Sequence, residues 1–260
     1  MKTEYAIVKK RREDIMSYIQ RNKKVTVKEL ADYFDTSEIT IRRDLNYWEE
    51  KDAIIRNHGG AQLIQHMVND EDQAYLNRCV HAIAKKAASF VENGDTIFIN
   101  TSSTALLTVK YIGNKRCTIV TNNAKATYLE HSPEIQIVLT GGELRFPKES
   151  MVGDLALTAV SKISADKCFM GCSGLTDETL STAILAETSI NGLMIAQTKG
   201  KKFILCDHSK IGIPHQFDYC STNEIDYLIT DTDSNKNVLE SLKEKDVTVI
   251  ETEPLWHIND

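Results

Sequence analysis

Along the first fifty positions apolar residues return every three or four places, and beyond about residue 95 they gather into short unbroken runs. The first regime predicts helices. Over 4–21, Val8, Ile15, Tyr18 and Ile19 fall near one face, while Lys9, Lys10, Arg11 and Arg12 lie on or beside the other. Asn22-Lys23-Lys24 ends that helix. Thr26-Val27-Lys28-Glu29 has the form of a capping box, and Val27, Leu30, Ala31 and Phe34 give the helix it opens an apolar stripe. Asp35-Thr36 breaks it. Ser37 then caps a third helix, Glu38 to about Lys51, in which Ile41, Leu45 and Trp48 follow i, i+4, i+7 and Ile39 adds to the inner side. Two short amphipathic helices across a short turn form a helix-turn-helix. Residues 53–63 read as two strands around a turn, with Gly59 and Gly60 supplying the positive φ that such turns require. A hairpin in that place is a wing.

The second regime predicts strands buried on both faces: Thr96–Ile99, Cys117–Val120, Ile135–Leu139, Lys167–Met170, Lys202–Cys206, Tyr227–Thr230 and Val247–Ile250. Helical stretches at 78–92, 103–112, 124–131, 153–163, 183–198 and 235–244 alternate with them. Such alternation gives a doubly wound, mostly parallel α/β fold. Residues 64–77, polar around Asn69-Asp70-Glu71-Asp72, read as a connector. The expected organisation is therefore a winged helix-turn-helix over 1–63, a linker over 64–77 and an α/β domain over 78–260.

Candidate chemistry sits at two places. The third helix turns Glu38, Thr40, Arg42, Arg43 and Asn46 outward, and Arg56 and His58 lie on the wing. A recognition helix reads base edges through its N-terminal residues while arginine and lysine grip phosphates. The plainer alternative is a solvated face with Arg42 or Arg43 paired to Asp44 or Glu49. In the α/β domain, ligands bind beyond the carboxyl ends of the strands, where helix N-termini offer free N–H groups. The residues there are Asn100-Thr101-Ser102-Ser103-Thr104, Thr121-Asn122-Asn123, Thr140-Gly141-Gly142, Gly171-Cys172-Ser173-Gly174 and Asp207-His208-Ser209-Lys210. Hydroxyls, amides, two bare glycines and one lysine suit a phosphorylated sugar.

Charge sharpens the first assignment. The net charge is −6 over 260 residues, yet residues 1–58 carry 13 Lys and Arg against 11 Asp and Glu, a net +2, and the remainder carries 18 against 26, a net −8. A mildly basic head on an acidic body confines nucleic-acid contact to the head. Six scattered cysteines, mostly in apolar runs, suggest buried, reduced thiols in a cytoplasmic protein. No run approaches the roughly 18 apolar residues of a membrane span, and the N-terminal stretch has no secretory apolar core.

Thr40-Ile41-Arg42-Arg43-Asp44-Leu45, followed by Ile55-Arg56-Asn57-His58-Gly59-Gly60-Ala61, resembles the N-terminal signature of the DeoR family of bacterial sugar-metabolism regulators. The likeness runs over almost the whole chain. It implies DNA contact by Ser37, Thr40, Arg42, Arg43 and Arg56, a usually repressive role, and an effector domain similar to sugar-phosphate isomerases such as ribose-5-phosphate isomerase. Effector contacts are then expected from Asn100, Ser102, Ser103, Thr104, Thr121, Asn122, Gly141, Gly142 and Lys210. The partners implied are an operator duplex, a phosphorylated sugar and further copies of the chain as a homodimer or homotetramer. Two departures stand out. The family's first loop usually reads Asp-x-Gly-Ser/Thr-Thr, so Asn100 replaces a carboxylate and Ser102 a glycine, which is expected to narrow the pocket or strain the loop. Many relatives also place a lysine near Asn191, where this chain has none.

An isomerase-like enzyme with a DNA-binding head is the chief rival. Moving a proton along a sugar needs a carboxylate base aimed at carbon, and Gly171-Cys172-Ser173-Gly174-Leu175 offers no paired carboxylates. No Gly-x-Gly-x-x-Gly follows a strand, so a dinucleotide cofactor is not expected. Cys168-x-x-x-Cys172, or Cys206 near His208, lacks the second ligand pair of a zinc finger, and buried thiols are expected instead. In Gly171-Cys172-Ser173-Gly174 the second glycine comes one residue too early for a nucleophile elbow.

Overall fold

The computed structural model describes residues 2–22, 24–49, 53–57, 59–63, 70–146 and 148–256, which fall into two compact units, Met1–Gln73 and Ala74–Asp260. In the first, α1 (Lys2–Asn22) leads into β1 (Lys24–Thr26), α2 (Val27–Tyr33), α3 (Glu38–Glu49), β2 (Ile54–Asn57) and β3 (Gly60–Leu63). The capping box is present: the Thr26 hydroxyl accepts from the Glu29 N–H at 3.1 Å, and the Thr26 N–H donates to the Glu29 carboxylate at 3.3 Å. Ile15, Ile19, Leu30, Ile41, Leu45 and Ile54 make a closed core. Ile39 is not part of it; it is 67% exposed. It stands two residues before Ile41, so Ile41 inside the helix pair leaves Ile39 turned away. The short strand β1 was not predicted. It pairs antiparallel with β3, giving the sheet order β1-β3-β2.

Next comes α4 (Asp70–Ala88), of which all but the first turn lies in the second unit. Residues 70–77, expected as connector, are its first turns, since acidic side chains favour a helix N-terminus; the rest of that connector, 64–69, lies outside the described residues. There follow β4 (Thr96–Ile99), α5 (Ser103–Tyr111), β5 (Cys117–Thr121), β6 (Ile135–Leu139), β7 (Glu143–Arg145), β8 (Ser150–Val152), α6 (Asp154–Ser161), β9 (Ala165–Met170), β10 (Gly174–Leu175), β11 (Thr179–Thr182), α7 (Leu185–Gln197), β12 (Thr198–Leu205), β13 (Phe217–Ser221), β14 (Tyr227–Asp231), α8 (Lys236–Glu244) and β15 (Thr248–Thr252). The helix expected at 124–131 is a short 3-10 turn, Ala124–Tyr128.

Seven strands form one parallel sheet in the order β15-β14-β12-β9-β4-β5-β6. Alternate residues of each strand feed opposite faces. Ile97 and Ile99 pack with α4 and α5, whereas Phe98 packs with α6, α7 and α8. The winding reverses between β4 and β9, so a crevice opens beyond the carboxyl ends of those two strands. Strands β10, β11 and β13 make a separate antiparallel sheet, and β7 with β8 a hairpin.

Candidate functional site

The helix-turn-helix surface is built from pairs. The Ser37 hydroxyl accepts from the Thr40 N–H at 3.2 Å and lies 2.9 Å from the Thr40 hydroxyl, capping α3. Arg42 donates to Glu38 at 3.4 Å along the helix. From the wing, Arg56 donates to Asn46 and lies 3.8 Å from Glu49, bracing β2 on α3. Arg43 is exposed, and no ion pair or hydrogen bond among the described residues engages it. His58 lies outside the described residues. Glu38, Arg42, Arg43 and Asn46 are exposed as expected, whereas Thr40 is half-buried.

Asp44 does not pair with its α3 neighbours. It is 1% exposed and receives Arg11 Nε at 2.6 Å and Arg12 Nε at 3.0 Å, both from α1. Arg11 and Arg12, expected on or beside the face of α1 away from its apolar residues, instead reach the buried Asp44. Both keep about a quarter of their side-chain exposure while their charges meet this buried acid, as long basic side chains can.

In the second unit, hydrogen bonds lace the loops after β4, β5, β6 and β9 together. Asn100, 2% exposed, grips the backbone of Gly171 on both sides: its Nδ2 donates to the carbonyl at 2.9 Å, and its Oδ1 accepts from the N–H at 3.0 Å. The same Oδ1 accepts from the Ser102 N–H at 3.2 Å, and Nδ2 also reaches Asn191 Oδ1 at 3.3 Å. All four hydrogen-bonding positions of this amide are thus committed within the protein. Ser102 caps α5, accepting from the Ala105 N–H at 3.2 Å with φ −62°. The expected strain is absent there, because an N-cap takes extended backbone, which serine adopts freely. Thr121 accepts from the Asn123 N–H, and Asn123 donates to the Thr101 carbonyl, joining the second loop to the first.

The other residues named for the effector lie in these same loops or beside them. Asn122 is fully buried and donates to the Met151 carbonyl, but its Oδ1 accepts from no group among the described residues. Gly142, at φ 110°, is held 2.5 Å (measured from an added Cβ) from the Val152 carbonyl, so its bareness serves the packing of α6. Gly141, at φ 69°, faces open space. Ser103 is exposed on the first turn of α5, and Thr104 is buried beneath it. Lys210 ends a 3-10 turn capped by Asp207; it is half-buried, and no ion pair or side-chain hydrogen bond among the described residues engages its ammonium.

Residue types alone did not single out α7. It sends Glu187, buried, to within 3.2 Å of the Thr101 hydroxyl and 3.4 Å of the Thr182 hydroxyl, and Asn191 to Asn100. The i, i+4 spacing of Glu187 and Asn191 on an otherwise apolar face was the available signal.

Residues 11–67 match the family model of the DeoR-like helix-turn-helix domain, and residues 81–232 match that of the DeoR C terminal sensor domain. The chain belongs to the DeoR family. Among DeoR relatives, the HTH-type transcriptional regulator GolR of Listeria innocua is 35% identical over 92% of this chain and 96% of its own length. The lactose phosphotransferase system repressor of Staphylococcus aureus is 28% identical over 84% of this chain and 90% of its own. A solved ribose 5-phosphate isomerase A from Methanocaldococcus jannaschii is similar over 55% of each chain, at 20% identity and a TM-score of 0.37. This DeoR-family chain therefore carries a DNA-binding head and a sensor domain, and the curated relatives named above are regulators and repressors. Among the described residues, no helix is long and apolar enough to cross a membrane.

Proposed function

We propose that the protein is a transcriptional repressor of a carbohydrate-utilisation operon, acting in the cytoplasm as a homodimer or homotetramer, whose operator affinity is set by a phosphorylated sugar. Arg43 carries the DNA side of this reading, being the exposed arginine on the recognition helix that no ion pair or hydrogen bond among the described residues engages. Ser37, Glu38, Thr40, Arg42, Asn46 and Arg56 shape the same surface, Arg56 with Asn46 tying wing to helix, and His58 is a further DNA contact in this reading. On the sensor side, Ser103, Gly141, Lys210 and the buried Asn122 Oδ1 are the groups left for a ligand, with Asn100, Ser102, Thr104, Thr121 and Gly142 holding the loops that present them. The lysine offers charge to a phosphate, and the unpaired amide oxygen offers an acceptor to a sugar hydroxyl.

The name of the staphylococcal relative ties that protein to a lactose phosphotransferase system, which supports a sugar as the class of signal. A ligand shifts DNA binding only by its differential affinity for the two arrangements of the protein. The experiment is fluorescence anisotropy on the duplex upstream of the gene, in a salt series, with a panel of sugar phosphates. Arg43→Ala should weaken binding by roughly 5- to 150-fold, as one base or phosphate contact is worth about 1–3 kcal/mol, while leaving sugar-phosphate binding intact. Lys210→Ala should bind DNA normally and lose its response to the sugar. A wild-type protein with no preference for any duplex over random sequence, at any salt, would sink the proposal.

A further inference from the structure

The loop that carries Lys210 also carries His208, whose ring takes part in a cluster separate from the proposed ligand groups. His208 Nδ1 lies 2.9 Å from Asp231 Oδ1, at the end of β14. Cys79, on α4, faces the same imidazole, and the sulfur, ring nitrogen and carboxylate oxygen all lie within 4.8 Å of one another. Cys79 and Asp231 are both 0% exposed, while the His208 side chain keeps 28%.

We propose that Cys79, His208 and Asp231 form a binding site for a divalent transition metal of the zinc class. The donor set, one thiolate, one imidazole and one carboxylate, is borderline-soft and matches Zn²⁺ rather than Mg²⁺ or Ca²⁺. Ligands at about 2.0–2.3 Å from a tetrahedral ion stand roughly 3–4 Å apart, so the cluster closes onto an ion with shifts of about an ångström. Charge balances as well: the thiolate and the carboxylate together cancel a divalent ion, leaving the buried site neutral. The carboxylate is already oriented, since Asp231 accepts from the His208 N–H at 2.7 Å and the Asp233 N–H at 3.1 Å. Such outer hydrogen bonds fix first ligands in metal sites. Three protein ligands leave a fourth position on the side where His208 meets solvent. An ion there would fasten α4 to the carboxyl ends of β12 and β14, one turn beyond the point where Tyr75 donates to Asp233.

No finger-like spacing announces this site, because its ligands come from α4 and two separate strand ends. Cys206, the thiol nearest His208 in sequence, is engaged with Cys172 instead.

The test is titration of the full-length protein, stripped with chelator under reductant, with Co²⁺ alone. Expected is a single equivalent bound with a thiolate-to-cobalt charge-transfer band in the near ultraviolet, displaced by Zn²⁺. Cys79→Ser should abolish the band, Asp231→Asn should weaken binding at least about 10-fold, and Cys172→Ser should change neither. Because a core variant can misfold, a second measurement uses the wild type: Zn²⁺ should slow alkylation of Cys79, read by mass spectrometry, and leave Cys168 unaffected. Absence of stoichiometric binding, a band that survives Cys79→Ser, or Cys79 alkylation indifferent to Zn²⁺ would each overturn the assignment.

Discussion

Gly59 and Gly60 stand side by side in the wing and do different jobs. Gly59 takes φ 99° at the turn, and its carbonyl accepts from the Val27 N–H at 2.8 Å. Gly60 has no positive φ; a Cβ there would sit 2.2 Å from the Val25 carbonyl oxygen, because β1 presses against it. The pair was legible as a turn from sequence, but only one of the two glycines is there for its φ. Pairing with a strand thirty-odd residues earlier leaves no local trace. Gly59→Ala should therefore cost about 1 kcal/mol of backbone strain, while Gly60→Ala should cost roughly 3 kcal/mol, since two backbones must part. Urea unfolding followed by Trp48 fluorescence, in a Trp256→Phe background, reads the difference; equal losses would refute the assignment of roles. Asn100 and Asn191 teach a similar lesson. They stand far apart in sequence, in a strand-end loop and on α7, yet the two side chains meet at 3.3 Å, and only the fold brings the two positions together.

At the scale of elements, the recognition helix is positioned by Asp44. A buried carboxylate held by two arginines of α1 fixes the roll of α3, and the indole of Trp48 adds a 2.9 Å donation to the Arg12 carbonyl. Removing the acid leaves two guanidiniums facing apolar surface. Breaking a fully buried pair costs about 3–5 kcal/mol. Both arginines here keep about a quarter of their side-chain exposure, so Asp44→Ala should cost nearer 2 kcal/mol and lower DNA affinity along with it. The Trp48 transition should shift while the unfolding of the sensor domain stays put; an unmoved transition would show that the arginines find water as readily as Asp44. Elements with a strong local pattern, α2, α3 and the seven parallel strands, were readable from sequence because apolar residues recur at helical spacing in the helices and cluster into short runs in the strands. Strands β1, β7, β8, β10, β11 and β13 were not. They are short or carry mixed faces, such as the wholly exposed Glu143–Arg145, and exist only through partners far along the chain.

The whole molecule divides its thiols as it divides its charge. All six cysteines lie at residue 79 or beyond, within the acidic part of the sequence, and the helix-turn-helix contains none. Burial pushes the Cys168 thiol up to about 12, and burial with the nearby Glu224 does the same for Cys220. Cys206 is raised by its hydrogen bond with Cys172 and by burial, and Cys117 and the Tyr219 phenol are raised chiefly by burial. Below about pH 9 these thiols are neutral whether the chain is folded or not, so they give stability no slope. Above it the unfolded chain sheds protons that the folded core retains, and each step in pH favours unfolding until the folded thiols ionise near pH 12. Cys168 and Cys220, the two held near 12, should each remove about 1 kcal/mol by about pH 10. Differential scanning calorimetry from about pH 8 to about pH 10.5, a range around the thiols' ordinary value of 9.0, should show the sensor transition level up to about pH 9 and falling above it. The helix-turn-helix transition, reported by Trp48, has no thiol to lose and should not follow it. Cys168→Ala should make the decline shallower without moving its onset, because one of several raised acids is gone. A sensor transition that holds level across that range would mean that water reaches these thiols in the native state and that the core is looser than its burial implies.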